Sequence, residues 1–324
     1  MASIDTAATQ GAATFADLYG RVLANVERVI QGKRDVIELM LLCLLSDGHL
    51  LLEDVPGVGK TNLAKSLATS IECSFGRVQF TPDLLPSDVV GLTIWNRGAN
   101  TFDFRPGPVF NNIVLADEVN RASPKTQAAL LEAMAEGQVT VDGVTYPLAP
   151  PFMVVATQNP VGHEGTYPLP DSQLDRFLVR ASVGYPSRQA ELEILDAHGD
   201  HDPFHDLGPV VSGRDVQRMA RATRQVHVAP SLKAYLVDLT QATRHHAAIA
   251  LGASPRATLA LQRVARARAA AAGRGYVLPD DIKALAVPVL AHRLLVTPEA
   301  HLQGVSAADV LADVLRAVRV PGGR

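Results

Sequence analysis

Residues 50–68 read LLLEDVPGVGKTNLAKSLA, and this stretch decides the fold. Leu50, Leu51 and Leu52 make an apolar run that ends in Glu53, the length of a buried parallel strand. A loop holding Pro56, Gly57 and Gly59 follows. Lys60 and Thr61 then open a helix on which Leu63, Leu67 and Ile71 share one face at a spacing of four. Strand, glycine-containing loop, Lys-Thr and helix is the layout that cradles phosphates. Backbone N–H groups and the positive end of the helix face the phosphates, the lysine meets the β/γ oxygens and the hydroxyl ligates Mg²⁺. The general pattern G-x-x-x-x-G-K-[ST] has its first glycine where this chain carries Asp54. Asp is among the better substitutes where glycine-like backbone angles are needed, so the departure weakens the pattern without removing the mechanism. The competing reading is a strand-turn-helix that holds Gly-Lys-Thr by chance, and the rest of the chain decides against it.

Residues 113–116, Ile-Val-Leu-Ala, form a second continuous apolar strand, and it ends in Asp117-Glu118. Acids at the carboxyl end of a parallel strand lie beside the phosphate loop, because open α/β sheets bind ligands at that edge. Asp117 is the candidate to hold Mg²⁺ through water, and Glu118 the candidate general base for an attacking water. A third strand, 152–156, delivers Thr157, Gln158 and Asn159 to the same edge. A polar side chain there holds the water or reads the γ-phosphate; an Asn before Pro160 is otherwise a turn residue.

Composition bounds the class. A chain of 324 residues with 47% hydrophobic and 19% charged residues is globular and long enough for two domains. A net charge of -3 gives no electrostatic case for nucleic-acid binding. Cys43 and Cys73 read as buried free thiols, as in a reducing cytosol. The longest apolar run, 39–45, is too short to span a bilayer, and no signal peptide is visible. These features predict a cytoplasmic protein with no membrane insertion.

The chain in order predicts a disordered tail over 1–13, an α/β domain over 14–186 and a helical domain over 187–324. Helices are expected over 15–29 and 34–45, with Leu18, Val22, Val26 and Val29 on one face of the first, and a strand over 77–80. Residues 81–112, rich in Pro and Gly, read as a functional excursion that projects as a hairpin. Ser123 and Pro124 start a helix that ends at Gly137, and residues 139–146 are a hairpin turning on Asp142-Gly143. Arg176 is either a surface partner of Asp175 or an arginine supplied to a neighbour's γ-phosphate. Strand 179–183 closes the sheet. Helices then follow at 189–197, 213–226, 231–245, 255–273, 279–295 and 307–318, with no strand-like runs and with Arg256 in a first turn. His198, His201 and His205 lie at irregular spacing in a broken loop, so a solvated linker is preferred over a metal site. Arg263, Arg266, Arg268 and Arg274 spread around their helix and read as a solvated face.

Several strings together resemble the MoxR family of AAA+ ATPases, in the helix-2-insert clade. They are EDVPGVGKT (53–61), QFTPDLLPSDVVG (79–91), FRPGPVFNNIVLADEVNRASPKTQAALLEAMAEGQVTV (104–141), ATQNP (156–160), EGTYPLPDSQLDRF (164–177) and GASPRA (252–257). The resemblance implies an AAA+ P-loop domain with a parallel five-stranded sheet of order 5-1-4-3-2, followed by a small all-α lid. It implies an ATPase that forms a homo-oligomer, a hexameric ring with ATP and Mg²⁺ between subunits. Its Walker A motif covers Asp54, Val55, Pro56, Gly57, Val58, Gly59, Lys60, Thr61 and Asn62, and its Walker B motif is Asp117-Glu118. Asn159 matches sensor 1, Arg176 the arginine finger in trans and Arg256 sensor 2. Gln79 falls at the glutamate-switch position, and Ile30 and Gln31 where the family lines its adenine pocket. Segments 82–104 and 138–148 match the family's two inserts. Such proteins remodel or mature clients, in a chaperone-like way, with a partner that carries a von Willebrand A domain. Two rivals stay open: a DNA-engaged or chelatase-type motor subunit of the same clade, and a nucleotide-gated scaffold with little turnover.

Overall fold

The computed structural model describes residues 3–55, 57–159, 167–186, 188–189, 191–192, 204 and 206–322. The chain divides into two compact units. One comprises Arg21–Phe177 and Ala181–Gln217, the other Met1–Gly20, Leu178–Arg180 and Arg218–Arg324. The main cut falls after Gln217, well beyond residue 186. Residues 208–217 are bonded back onto the first unit: Val210 N–H donates to Ser70 O (2.9 Å), and Gln217 Nε2 donates to Pro150 O (2.7 Å).

Helices α1 (Ser3–Glu27) and α2 (Arg34–Leu45) precede strand β1 (Leu50–Glu53). The helix reaches back to Ser3 where the sequence reads a tail over 1–13. Ala7, Ala8, Ala12 and Ala13 favour helix strongly enough to continue it. Helix α3 (Lys60–Ser70) and strand β2 (Phe75–Gln79) follow, and then a short helix α4 (Pro86–Val90), which the sequence reading missed. Next come the hairpin β3 (Gly91–Asn96) and β4 (Thr101–Pro106), strand β5 (Ile113–Asp117) and helix α5 (Pro124–Glu136). The hairpin β6 (Gln138–Val141) and β7 (Val144–Pro147), strand β8 (Met153–Gln158), helix α6 (Asp171–Leu174) and strand β9 (Val179–Ala181) complete the sheet unit.

The sheet has the order β2-β5-β8-β1-β9, which is 5-1-4-3-2 read from the other edge. The pairs β2/β5, β5/β8 and β8/β1 are parallel. Leu50–Leu52, Ile113–Ala116 and Met153–Ala156 are fully buried. Covered on both faces, such strands are continuously apolar, which is why they were readable as runs. On α3, Leu63, Leu67 and Ile71 are buried together. Helix α5 is capped as its sequence predicts, with Ser123 Oγ accepting from Thr126 N–H and Gly137 at φ +63°. Asp142 (φ +50°) and Gly143 (φ +79°) make the two-residue turn of β6/β7.

The two hairpins touch. The Phe104 ring stacks on Tyr146, with centroids 4.0 Å apart and planes at 14°. Farther along β3/β4, Trp95 and Phe102 meet edge to face at 4.8 Å and stay exposed. Cys43 is buried as its sequence predicts, but Cys73 is only half-buried, in the turn between α3 and β2. Burial, aided by Glu72, pushes its thiol up to about 11.

The second unit packs helices Pro230–His245, Pro255–Ala271, Pro279–Leu290 and Ala307–Ala317 around Leu261, Val264, Ile282, Leu285 and Val289. It is not purely helical. Ile249–Leu251 pairs antiparallel with Leu295–Val296. Strands of three and two residues are too short to carry an alternation signature. The basic stretch is not simply a solvated face either: the Arg274 guanidinium holds the buried Asp281 through two bonds of 2.7 and 2.8 Å. Among the described residues no helix is long and apolar enough to cross a membrane. His198, His201 and His205 lie outside the described residues.

Candidate functional site

The carboxyl ends of four parallel strands build the site. Register puts Glu53 beside Gln158 and Gln79 beside Asp117. Polar residues that directly follow buried runs therefore collect on one sheet edge. Lys60, Thr61, Asp117, Glu118 and Asn159 line a cleft of about 370 Å³ there, together with Gly57, Gly59, Asn62, Arg77 and Gln79.

Gly57 and Gly59 both sit at φ +86°, where a Cβ costs about 1–2 kcal/mol, so the loop needs glycine at both positions. Lys60 is buried, and its Nζ donates to Asp54 O at 3.0 Å. Asp54 itself is not left-handed, which corrects the reason for tolerating it. Its buried carboxylate accepts from Ser182 Oγ (3.0 Å), Gly184 N–H (3.0 Å) and Val183 N–H. Its own N–H donates to Gln158 O at 3.1 Å. Asp54 is thus the loop's anchor, with its N–H bonded to β8. Val55 and Val58 belong to the loop without lining the cleft, and Pro56 lies outside the described residues.

One buried hydroxyl organises the acid pair. Thr157 Oγ1 donates to Asp117 Oδ1 at 2.6 Å and accepts from Glu118 N–H at 2.8 Å. That bond steadies Glu118 at φ +55°, a strained region for a non-glycine residue. The Glu118 carboxylate is held on Oε2 by Gln79 Nε2 (3.0 Å) and by Arg121 Nη1 (2.9 Å). Asp117 Oδ2 accepts from Arg77 Nη2 at 2.7 Å. Neither Arg77 nor Arg121 was read from sequence. The available signals were local: Arg77 is two residues before Gln79 on one strand face, and Arg121 is three after Glu118.

Arg176 is exposed, its Nη1 donates to Leu131 O at 2.6 Å, and it does not line the cleft. Arg256 is the exposed second residue of helix Pro255–Ala271, whose cap Ser254 accepts from Ala257 N–H at 3.2 Å. Gln31 Oε1 is buried with no hydrogen-bond partner. An orphaned acceptor fits an exocyclic amine. The hydroxyl of Thr61 and the carboxylate of Asp117 are hard oxygen donors of the kind Mg²⁺ takes, and the left-handed glycines before Lys60 suit a polyphosphate.

Residues 49–179 match the family described as ATPase family associated with various cellular activities (AAA), and residues 241–314 match an AAA lid domain. The chain is 41% identical to chaperone MoxR1 of Mycobacterium tuberculosis, over 96% of this chain and 85% of that one. It is 32% identical to protein MoxR of Paracoccus denitrificans, over 85% and 88%. The chain belongs to the MoxR family of AAA+ ATPases. An uncharacterized relative, YeaC of Bacillus subtilis, is 51% identical over 94% of this chain and 95% of its own. A crystal structure of a candidate ATPase from Cytophaga hutchinsonii superposes with a TM-score of 0.92 at 40% identity, covering 98% of this chain and 99% of that one. As a MoxR-family AAA+ protein the chain is an ATPase, and its sheet order and lid segment are those of that family.

Proposed function

We propose that this MoxR-family ATPase hydrolyses ATP in the cleft at the sheet edge and works as a hexameric ring of identical copies. The ring moves its two hairpins against a client protein, with a von Willebrand A domain protein as partner. The observation that carries the reading is the meeting of Lys60 and Thr61 with Asp117 and Glu118 in one cleft. Lys60 leaves the Asp54 carbonyl to meet the β/γ oxygens, and Asn159 orients the attacking water. Glu118 takes the proton from that water once its Oε2 is released by Gln79 and Arg121. Thr61 and Asp117 would hold Mg²⁺, which would supply neutralisation of the phosphate charge. Gln31 receives the adenine amine. Arg176, outside the cleft of its own subunit, serves a neighbour's γ-phosphate, and Arg256, in the first turn of helix Pro255–Ala271, acts as sensor 2. The exposed Trp95 and Phe102 on the first hairpin support a protein client.

Glu118→Gln tests the assignment. Turnover should fall by about 10²–10⁴-fold, the size of a lost general base, while binding of a fluorescent ATP analogue is retained. Normal turnover in that variant would remove Glu118 from the reaction.

A further inference from the structure

Arg77 holds Asp117 and the switch residue Gln79 at once. Its Nη2 donates to Asp117 Oδ2 at 2.7 Å and to Gln79 Oε1 at 3.1 Å. A guanidinium only donates, so the oxygen of the Gln79 amide must face it. That leaves the amide nitrogen turned to Glu118 Oε2, at 3.0 Å. Arg77 therefore dictates which end of Gln79 meets Glu118. On Asp117, Oδ1 is already engaged by Thr157, so Oδ2 is the oxygen for which Arg77 and a metal's water shell compete. We propose that Arg77 is a positioning residue that couples metal arrival at Asp117 to release of Glu118. Arg77, displaced from Oδ2 by a water of the metal's shell, would let go of the aspartate and of Gln79. The amide is then free to turn, and Glu118 loses a donor from the oxygen that must accept the proton. This rests on the reading of Asp117 as the metal-holding acid.

The alternative is a half-exposed ion pair with no such role. Metal affinity separates the two, because it reads competition at Asp117 without turnover. Mn²⁺ binding is measured by electron paramagnetic resonance on the full chain, with and without a non-hydrolysable ATP analogue. Wild type, Arg77→Met, Arg77→Lys and Asp117→Asn are compared. Arg77→Met should bind Mn²⁺ about fivefold tighter, the size a half-exposed ion pair allows. Its Mg²⁺ requirement for half-maximal turnover should fall by a similar factor, with a raised basal rate. Arg77→Lys keeps the charge, but its side chain is one atom shorter and does not carry a donor to the place of Nη2 between Asp117 Oδ2 and Gln79 Oε1, so it should keep near wild-type Mn²⁺ affinity and share the raised basal rate. Unchanged Mn²⁺ affinity in Arg77→Met, with binding weakened in Asp117→Asn, overturns the role of Arg77 alone. Wild-type Mn²⁺ binding in Asp117→Asn overturns the metal assignment of Asp117, and this inference with it.

Discussion

Asp54 acts through its side chain. Three donors from residues 182–184 converge on a buried carboxylate, so removing it leaves three donors without their charged partner. Asp54→Ala should destabilise the chain by about 3 kcal/mol and loosen nucleotide binding, because the loop loses its tether. Urea unfolding and titration with a fluorescent ATP analogue check both; an unshifted urea midpoint speaks against the anchor. At this scale Lys60, Thr61, Asp117 and Glu118 were legible, since each pair is contiguous and follows an apolar strand. The Arg77–Asp117 pair was not. Its partners are 40 positions apart and meet only because β2 and β5 pair in a definite register. Asp54 was legible as a departure but not as an anchor, because its partners arrive 128 residues later.

At the level of elements, periodicity and caps carried most of the reading. Helix α2 and the capped α5 fall where their sequences place them. What failed was short: α4, the ribbon of Ile249–Leu251 with Leu295–Val296, and the helix Pro298–Leu302. Segments of two to five residues span too little of a period to declare themselves. The contact between the two hairpins also lies beyond any local signal. The Phe104–Tyr146 stack predicts that these inserts move as one body. A double-mutant cycle of Phe104→Leu and Tyr146→Leu, read by urea unfolding, should give a coupling of about 0.5–1.5 kcal/mol. Strict additivity means the hairpins are energetically independent.

For the whole molecule, the decisive feature is a cleft that lacks an arginine of its own from residue 176. If Arg176 completes a neighbour's site, Arg176→Ala should lower turnover by about 10³-fold. Mixing it with Glu118→Gln copies should then restore activity, because each variant supplies the half the other lacks. Steady-state turnover of a 1:1 mixture should rise toward roughly a quarter of wild type, the share of correctly paired interfaces in a random ring. A mixture no more active than the better variant alone means that Arg176 is not shared between copies.

The sequence alone determined the glycine loop before Lys60, the acid pair and the buried strands that lead into them, because buried parallel strands are written as apolar runs that end at the ligand-binding edge; the order of those strands came from the family resemblance. Only the tertiary structure decided what holds those groups. The Asp54 tether, the Thr157 bridge between the two acids and the Arg77–Gln79–Glu118 chain each join residues distant in sequence. The physical reason is that a side-chain hydrogen bond depends on register and distance in space, and neither is encoded in the spacing of residues along one strand.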